Sequence, residues 1–184
     1  MTRQTILLIQ LLLLLCPRLF AQGIQAEKIE LSGSKLENFY RIDKGVYRSE
    51  QPDEEDFKAL ERFGIREVLN LRYWHSDDDE ARGRNLQLHR VRTSAHNLEL
   101  SELIEALRIV KQRKGNILIH CKHGSDRTGA VCALYRMVFQ NVPKAAAIKE
   151  MKEGGFGFHR IYRNIVRMLE EADISQVRQA VFAE

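Results

Sequence analysis

The segment around Cys121 places the tightest constraint on the fold of this chain. An apolar run, "NILIHC" at residues 116–121, leads through a short connection to Arg127, where the helix-forming run "RTGAVCALYRMVFQ" begins. Glycine stands inside the connection at Gly124 and just after it at Gly129. A buried strand that passes so directly into a helix is typical of α/β folds, in which ligands bind beyond the carboxyl ends of parallel strands.

Strands and helices alternate along the rest of the chain. Two short β-rich segments flank a turn at Lys44 and Gly45, and further strands are predicted in "IREVLNLR" and "LQLHRVRT". Helices are predicted in "PDEEDFKALERFG", "LELSELIEALRIVKQRKG", "PKAAAIKEMKEG" and "FHRIYRNIVRMLEEA". The sequence therefore predicts an α/β domain at residues 37–175, with a central, mainly parallel sheet flanked by helices. A linker is expected at 22–36 and a C-terminal helical tail at 176–184.

The first 21 residues have the layout of a secretory signal. Arg3 precedes an apolar run at residues 6–15, and a polar break then leads to Ala21. This run is shorter than the roughly 20 apolar residues that cross a bilayer. We expect a signal peptide at residues 1–21, export to the periplasm or medium, and no stable membrane insertion after cleavage. A buried N-terminal helix is the alternative.

Charge and cysteine content narrow the function classes further. Without residues 1–21 the chain keeps 27 of its 29 basic residues and all 25 acidic ones, a balance of +2 that predicts no nucleic-acid partner. Only Cys121 and Cys132 remain, so an exported chain would have no disulfide framework. Cys132 lies on an apolar helix and is predicted to pack in the core; a redox partner for Cys121 is the alternative.

The connection from Cys121 to Arg127 has the chemistry of an oxyanion site. A short loop at a helix N-terminus turns its backbone N–H groups inward, and such a nest binds a tetrahedral anion. Arg127 adds a planar fork of donors for two phosphate oxygens. The same donors stabilise a thiolate, so Cys121 is predicted to be an activated nucleophile. The alternatives are a structural cysteine, an inactive phosphate-binding module, and a thiol redox protein, which would have no use for Arg127.

Residues 120–129, "HCKHGSDRTG", obey every fixed position of HCxxGxxRTG and so resemble the signature of cysteine-based protein tyrosine and dual-specificity phosphatases. The resemblance extends over most of residues 38–172 and is closest to small exported bacterial dual-specificity-like phosphatases. It implies the fold of that family and substrate-binding roles for the loop residues Lys122, His123, Gly124, Ser125, Thr128 and Gly129.

The resemblance also implies a two-step reaction that needs no metal and no organic cofactor. Cys121 attacks phosphorus to form a phosphocysteine, which water then hydrolyses. Arg127 and the amides of residues 122–127 hold the equatorial oxygens. The Thr128 hydroxyl bonds the departing sulfur, and His120 orients the loop from behind.

The sequence lacks the aspartate that usually serves as the general acid in this family. Related enzymes take a proton from an aspartate on a loop upstream of the cysteine, but no aspartate lies between Gly83 and Lys122, and His96 or Asn97 stands in that place. Asp126 resembles the aspartate of CxxGxDRT loops, in secreted bacterial and myotubularin-like phosphatases, that has been given the acid role. It is therefore the favoured candidate. Its alternative role is to pair with an arginine or to cap the helix start.

Two other sets of residues are further candidates for the acid. Asp77, Asp78, Asp79 and Glu80 form an acidic run on a loop that could fold over the site, although such a run is also typical of a solvated turn. His96 could donate a proton near neutral pH, and its alternative is a cap or a partly buried ring.

The predicted activity is hydrolysis of phosphate monoesters, on phosphotyrosine and also on phosphoserine or phosphothreonine of proteins. Lys122 and His123 add positive charge to the cradle, which favours inositol phosphates or phosphoinositides as the alternative substrates. In the other interpretation, the two side chains are simply exposed, and only their backbone amides contribute to phosphate binding. The predicted partner is thus a phosphorylated protein or small molecule, and the protein is expected to be a monomer.

Overall fold

The structure is a computed structural model that describes residues 25–183. The predicted signal peptide at residues 1–21 lies outside the described residues. The strands are β1 (Glu27–Lys28), β2 (Tyr40–Asp43), β3 (Val46–Ser49), β4 (Ile65–Arg72), β5 (Gln87–Thr93) and β6 (Asn116–His120). The helices are α1 (Glu54–Phe63), α2 (Leu100–Gln112), α3 (Asp126–Phe139), α4 (Lys144–Glu153), α5 (Arg163–Glu171) and α6 (Ile174–Phe182).

The strands form one sheet in the order β1-β2-β3-β6-β4-β5. Strands β3, β6, β4 and β5 are parallel to their neighbours, and β2 and β1 continue the sheet with antiparallel pairing. The register sets Ser49 and Asn70 on either side of His120. The carboxyl ends of three strands therefore meet where Cys121 follows β6.

Alternating side chains of β6 divide the core between the two faces of the sheet. Ile117 and Ile119 belong to a cluster that includes buried residues of α2, α3, α4, α5 and α6. Leu118, which lies between them in the strand, packs with Phe57 and Leu60 of α1 on the other face. Helices thus flank both faces of a mainly parallel sheet, and the predicted α/β class is confirmed.

Two helices are shorter than the hydrophobic pattern predicts. Helix α2 ends at Gln112 and does not reach Gly115, because the buried Glu67 carboxylate accepts the N–H groups of Lys114 and Gly115 and turns the chain toward β6. Helix α5 begins at Arg163 rather than in the preceding segment "FHRIY". That segment forms a turn, in which the Tyr162 N–H donates to the His159 carbonyl and the His159 N–H donates to the Asp126 carboxylate.

The segments expected to be a linker and a tail both pack against the domain. In the first, β1 pairs with β2, and Ile29, Leu31 and Leu36 lie against the cluster around α1. In the second, Val177 and Val181 of α6 are buried in the larger cluster. The boundaries predicted at residues 36 and 175 therefore do not correspond to structural breaks, because apolar side chains on both segments complete the core.

Candidate active site

The loop that follows Cys121 passes very close to the end of β3. Gly124 has φ 67°, and a Cβ atom there would lie 2.5 Å from the Ser49 carbonyl oxygen. A residue with a side chain is excluded by both the backbone conformation and the contact. The buried guanidinium of Arg48 donates a hydrogen bond to the Gly124 carbonyl and lies 3.8 Å from the centre of the Phe156 ring. The loop is thus fixed against β3.

Other carbonyl groups of the loop are bound from outside. Asn38 Nδ2 donates to the His123 carbonyl at 2.8 Å and to the Phe156 carbonyl at 3.2 Å. The Gln51 N–H donates to the Lys122 carbonyl at 3.1 Å. By contrast, the N–H groups of residues 122–125 have no acceptor within the described part of the chain. The loop carbonyls are thus occupied, while its N–H groups remain free to donate. This arrangement binds an anion at a helix N-terminus.

Arg127 reaches across the ends of two strands. Its terminal nitrogen donates to the carbonyls of Leu71 and Thr93, at 3.3 Å in each case. Its Nε is buried and has no acceptor among residues 25–183. Arg72 lies close by, and burial, followed by the charge of Arg127, lowers its pKa. The cations of this site are thus concentrated beside Cys121, whose side chain is buried.

His120 ends β6 directly before the loop, and its ring has contacts through both nitrogens. The fully buried ring contacts Asp77 Oδ2 through Nε2 at 2.9 Å and the Cys121 carbonyl through Nδ1 at 3.2 Å. Burial raises the pKa of Asp77, but the hydrogen bond and charge of His120 outweigh it, and the pKa is lowered overall. Gln51 and Asn70 donate to the other oxygen of Asp77, each at 2.9 Å.

The acidic loop therefore has a role that neither sequence-based interpretation describes. Asp77 is buried behind His120, with both carboxylate oxygens occupied by protein donors, whereas Asp78 and Asp79 are exposed. Glu80 pairs with His75 at 3.0 Å. Asp77 anchors the ring of His120, the residue before Cys121, and the loop is only partly a solvated turn.

Asp126 begins α3, and both of its carboxylate oxygens contact His159. Oδ1 accepts the main-chain N–H of His159 at 2.8 Å, and Oδ2 lies 2.9 Å from Nδ1 of its ring. Asp126 is nearly buried, whereas half of the His159 side chain is exposed. The partner of Asp126 is thus a histidine, not the arginine that its alternative structural role names. The sequence analysis missed His159, because only its contact with the distant loop distinguishes it.

A cleft of about 590 Å³ opens beside the loop. Lys122, Arg127 and His96 all line it, so the structure brings a predicted acid candidate together with the cations of the cradle. The His96 ring also lies 5.2 Å from that of Tyr162, centre to centre. The remaining lining residues are Arg72, Tyr73, Trp74, Thr93, Ser94, Ala95, Asn97, Glu102 and Tyr162.

Two further predicted residues of α3 are buried. The Thr128 hydroxyl has no partner in the part of the chain that the structure describes, and it lies one residue after Arg127. Cys132 is packed in the larger core cluster, where burial raises the pKa of its thiol. Cys132 is thus placed as a core residue, as predicted.

Neither a metal-binding cluster nor a membrane-spanning helix is present among residues 25–183. No group of three or more histidine, cysteine, aspartate or glutamate side chains among them could hold a metal ion. Within the same range, no helix is both long and apolar enough to cross a bilayer.

Comparison with known proteins agrees with this geometry. The family model "Dual specificity phosphatase, catalytic domain" matches residues 46–171. The chain is similar to the dual specificity protein phosphatase TpbA of Pseudomonas aeruginosa, with 33% identity over 148 residues. That alignment covers 78% of this chain and 66%, just under two thirds, of the relative's length.

Solved structures show the same relationship. A crystal structure of a cysteine-to-serine variant of P. aeruginosa TpbA in complex with phosphotyrosine matches with a TM-score of 0.77 and 28% identity, over 89% of this chain and 99% of that one. The core catalytic domain of the PP-IP phosphatase SIW14 from S. cerevisiae, in complex with citrate, matches with a TM-score of 0.66 and 27% identity. That match covers 78% of this chain and 90% of the other.

Proposed function

The chain belongs to the dual specificity phosphatase family, and on that premise we propose that it hydrolyses phosphate monoesters through a phosphocysteine at Cys121. Phosphotyrosine residues of proteins are the proposed main substrates, and phosphoserine and phosphothreonine are further ones. The likeness to the phosphotyrosine complex of TpbA supports this substrate class. The proposed reaction uses no cofactor.

The main support for the proposal is a set of hydrogen-bond donors that have no acceptor in the described chain. The loop that starts at Cys121 contains free N–H groups at residues 122–125, and Nε of Arg127 is buried without an acceptor in the described chain. A donor that is buried without a partner, as Nε of Arg127 is, costs free energy unless a ligand binds it. A phosphoryl group offers three equatorial oxygens, enough to accept from the loop and from the guanidinium at once.

In the first step, an electron pair of the Cys121 thiolate forms the sulfur–phosphorus bond while the bond to the leaving oxygen breaks. Arg127 and the loop N–H groups stabilise the charge on the equatorial oxygens. The leaving oxygen keeps the bonding electrons and takes a proton, which an alkoxide needs far more than a phenolate does. We assign this proton to Asp126, whose position directly before Arg127 supports the assignment.

In the second step, a water oxygen bonds to phosphorus and the sulfur leaves as thiolate. The Asp126 carboxylate, deprotonated in the first step, takes a proton from the water, and inorganic phosphate is released. The buried Thr128 hydroxyl, unpartnered in the described chain, is available to donate to the sulfur as it leaves. His120, anchored by Asp77, keeps the sulfur and the loop in register.

The test is turnover of an aryl phosphate, a phosphotyrosine peptide, a phosphoserine peptide and an inositol phosphate. We expect vanadate-sensitive turnover by the wild type and none by Cys121→Ser, which should still bind inorganic phosphate. Cys132→Ala is the matched control, because this second thiol is packed in the core and should not be needed for activity. If the wild type shows no vanadate-sensitive turnover of any of the four substrates, the proposal is wrong.

Inositol phosphates are a second candidate substrate class. Lys122 and His123 are exposed on the loop, and Arg72 lines the same cleft as Lys122. Their charge favours substrates with several phosphates, and the likeness to the PP-IP phosphatase SIW14 supports this candidate. If it is correct, Lys122→Ala should raise KM for an inositol polyphosphate much more than KM for a phosphotyrosine peptide.

We also propose that the protein is exported and monomeric. The charged start, apolar run and small residue of the first 21 positions support export to the periplasm or medium. Mass spectrometry of the protein recovered from an extracytoplasmic fraction should give an N-terminus at Gln22 or Glu27. Recovery of the full-length chain from the cytoplasm would contradict export.

A further inference from the structure

Two aromatic side chains directly after β4 are uncovered. The exposed fraction is 45% for Tyr73 and 91% for Trp74, the largest value among the large apolar residues of the described chain. The ring centres lie 4.6 Å apart, and the ring planes meet at 67°, an edge-to-face pair. Aromatic side chains gain more from burial than most others, so the fold leaves a favourable interaction unused at this position.

The main chain under these rings is held in place. Arg90 donates from Nε to the Arg72 carbonyl at 3.2 Å and from a terminal nitrogen to the Tyr73 carbonyl at 2.7 Å. Both bonds join the segment to the neighbouring strand β5. The exposure of Tyr73 and Trp74 therefore belongs to a fixed part of the backbone, and the rings are presented at a defined place.

That place is the cleft beside the catalytic loop. Tyr73 and Trp74 line it together with Lys122 and Arg127. Its volume, about 590 Å³, lies within the range of roughly 300 to 1,000 Å³ that is usual for small-ligand sites. The lining combines cations with aromatic rings, and this combination suits a ligand that has an anionic group attached to an aromatic body.

We propose that Tyr73 and Trp74 form a subsite for the aromatic ring of an aryl phosphate whose phosphoryl group lies in the loop at residues 121–127. The inference rests on the proposed function and deepens it, since the subsite selects phosphotyrosine over phosphoserine and phosphothreonine. A phosphotyrosine ring extends from the phosphate and packs against the two side chains. An alkyl phosphate has no ring and gains nothing from them.

Fluorescence offers a direct readout, because Trp74 is the only tryptophan in the chain. Cys121→Ser should be titrated with a phosphotyrosine peptide, with a phosphoserine peptide of otherwise identical sequence, and with inorganic phosphate. We expect a saturable change in tryptophan emission with the phosphotyrosine peptide and almost none with the other two probes. Equal changes with all three probes would overturn the subsite.

Kinetics of Trp74→Ala supply an independent measurement. KM for the phosphotyrosine peptide should rise about 3- to 10-fold with kcat little changed, and both constants for the phosphoserine peptide should stay the same. Ile161→Ala is the matched control, because Ile161 is 74% exposed but does not line the cleft. An unchanged KM for the phosphotyrosine peptide, or equal rises for both peptides, would contradict the inference.

Failure of the two proposals can be told apart. A wild type that turns over none of the four substrates contradicts the proposed function, while the fluorescence titration still decides whether the rings bind an aryl phosphate. A wild type that turns over both peptides, with Trp74→Ala identical to it, leaves the phosphatase activity standing and removes the aromatic subsite.

Discussion

Asp126 and His159 form a closed pair, in which the histidine offers both its main-chain N–H and its ring nitrogen to the two oxygens of one carboxylate. The carboxylate is nearly buried, but half of the imidazole is exposed. The ring therefore lies between Asp126 and bulk water. A change in this ring should consequently act on the residue that we assign as the general acid.

Asp126→Asn tests that assignment. We expect the rate on a phosphoserine peptide to fall by about 100-fold or more, because an alkoxide leaves poorly without a proton, whereas an aryl phosphate should lose less than about 10-fold. The measurement is kcat for both substrates at one pH. Small and equal losses on the two substrates would count against Asp126 and in favour of His96.

His159→Ala should act through Asp126. The variant keeps the main-chain hydrogen bond but removes the ring, so we expect a several-fold lower kcat on the phosphoserine peptide and a much smaller change on an aryl phosphate. The double variant with Asp126→Asn should be no slower than Asp126→Asn alone, because coupled residues are not additive. Additive losses would mean that His159 works independently.

Gly124→Ala should destabilise the domain and abolish phosphate binding. The added Cβ would lie 2.5 Å from the Ser49 carbonyl oxygen, and the positive φ would be strained as well, so we expect a loss of about 2–4 kcal/mol. Gly83→Ala is the control, since Gly83 also has a positive φ, 75°, but nothing within 4 Å of the new atom. Urea unfolding and vanadate binding of both variants measure the difference, and equal losses would contradict the steric argument.

Asp77→Asn should reveal a pH-dependent contribution to stability. The pKa of Asp77 is lowered in the folded protein, so the stabilisation by its charge is complete above the ordinary value of 3.8 and is lost as the pH falls through the lowered value. At pH 7 we expect the variant to be about 1–3 kcal/mol less stable, because the buried His120 ring loses the carboxylate that it contacts at 2.9 Å.

The free energies of unfolding of wild type and Asp77→Asn, measured in urea at pH 7 and at pH 3, check this prediction. The difference between the proteins should be largest at pH 7 and smaller in acid. A difference that does not depend on pH would mean that Asp77 acts only through its shape and hydrogen bonds.

The position of the loop from Cys121 to Arg127 could be predicted from the sequence because the whole loop is local, whereas the catalytic roles of these two residues stay a prediction. Cys121, Gly124 and Arg127 lie on one short connection between a strand and a helix, and steric and hydrogen-bonding requirements fix their spacing. The parallel sheet was predictable for a similar reason, since each strand and helix carries its own periodic pattern. The ends of α2 and α5 differ, where side chains from elsewhere bind the backbone, and so do the predicted domain boundaries, where both flanking segments pack on the core.

The supporting residues could not be predicted in the same way. Asp77 is 43 residues from His120, and His159 is 33 residues from Asp126, so neither contact leaves a pattern in the neighbouring sequence. In each case a surface-type residue is buried or oriented by a tertiary hydrogen bond. Tyr73 and Trp74 are a third example, because their chain position does not show that they face the cleft.

The two hydrogen bonds from the Asn38 side chain affect how fast an oxyanion can bind to the loop. One side chain joins the loop at His123 to the segment at Phe156, and Arg48 and Gln51 fix the neighbouring carbonyls. The conformational entropy of the loop is thus lost when the protein folds and not when a phosphate arrives. Association of an oxyanion should therefore follow a single exponential without a slow rearrangement phase, with a rate set by diffusion and by the attraction of the cations.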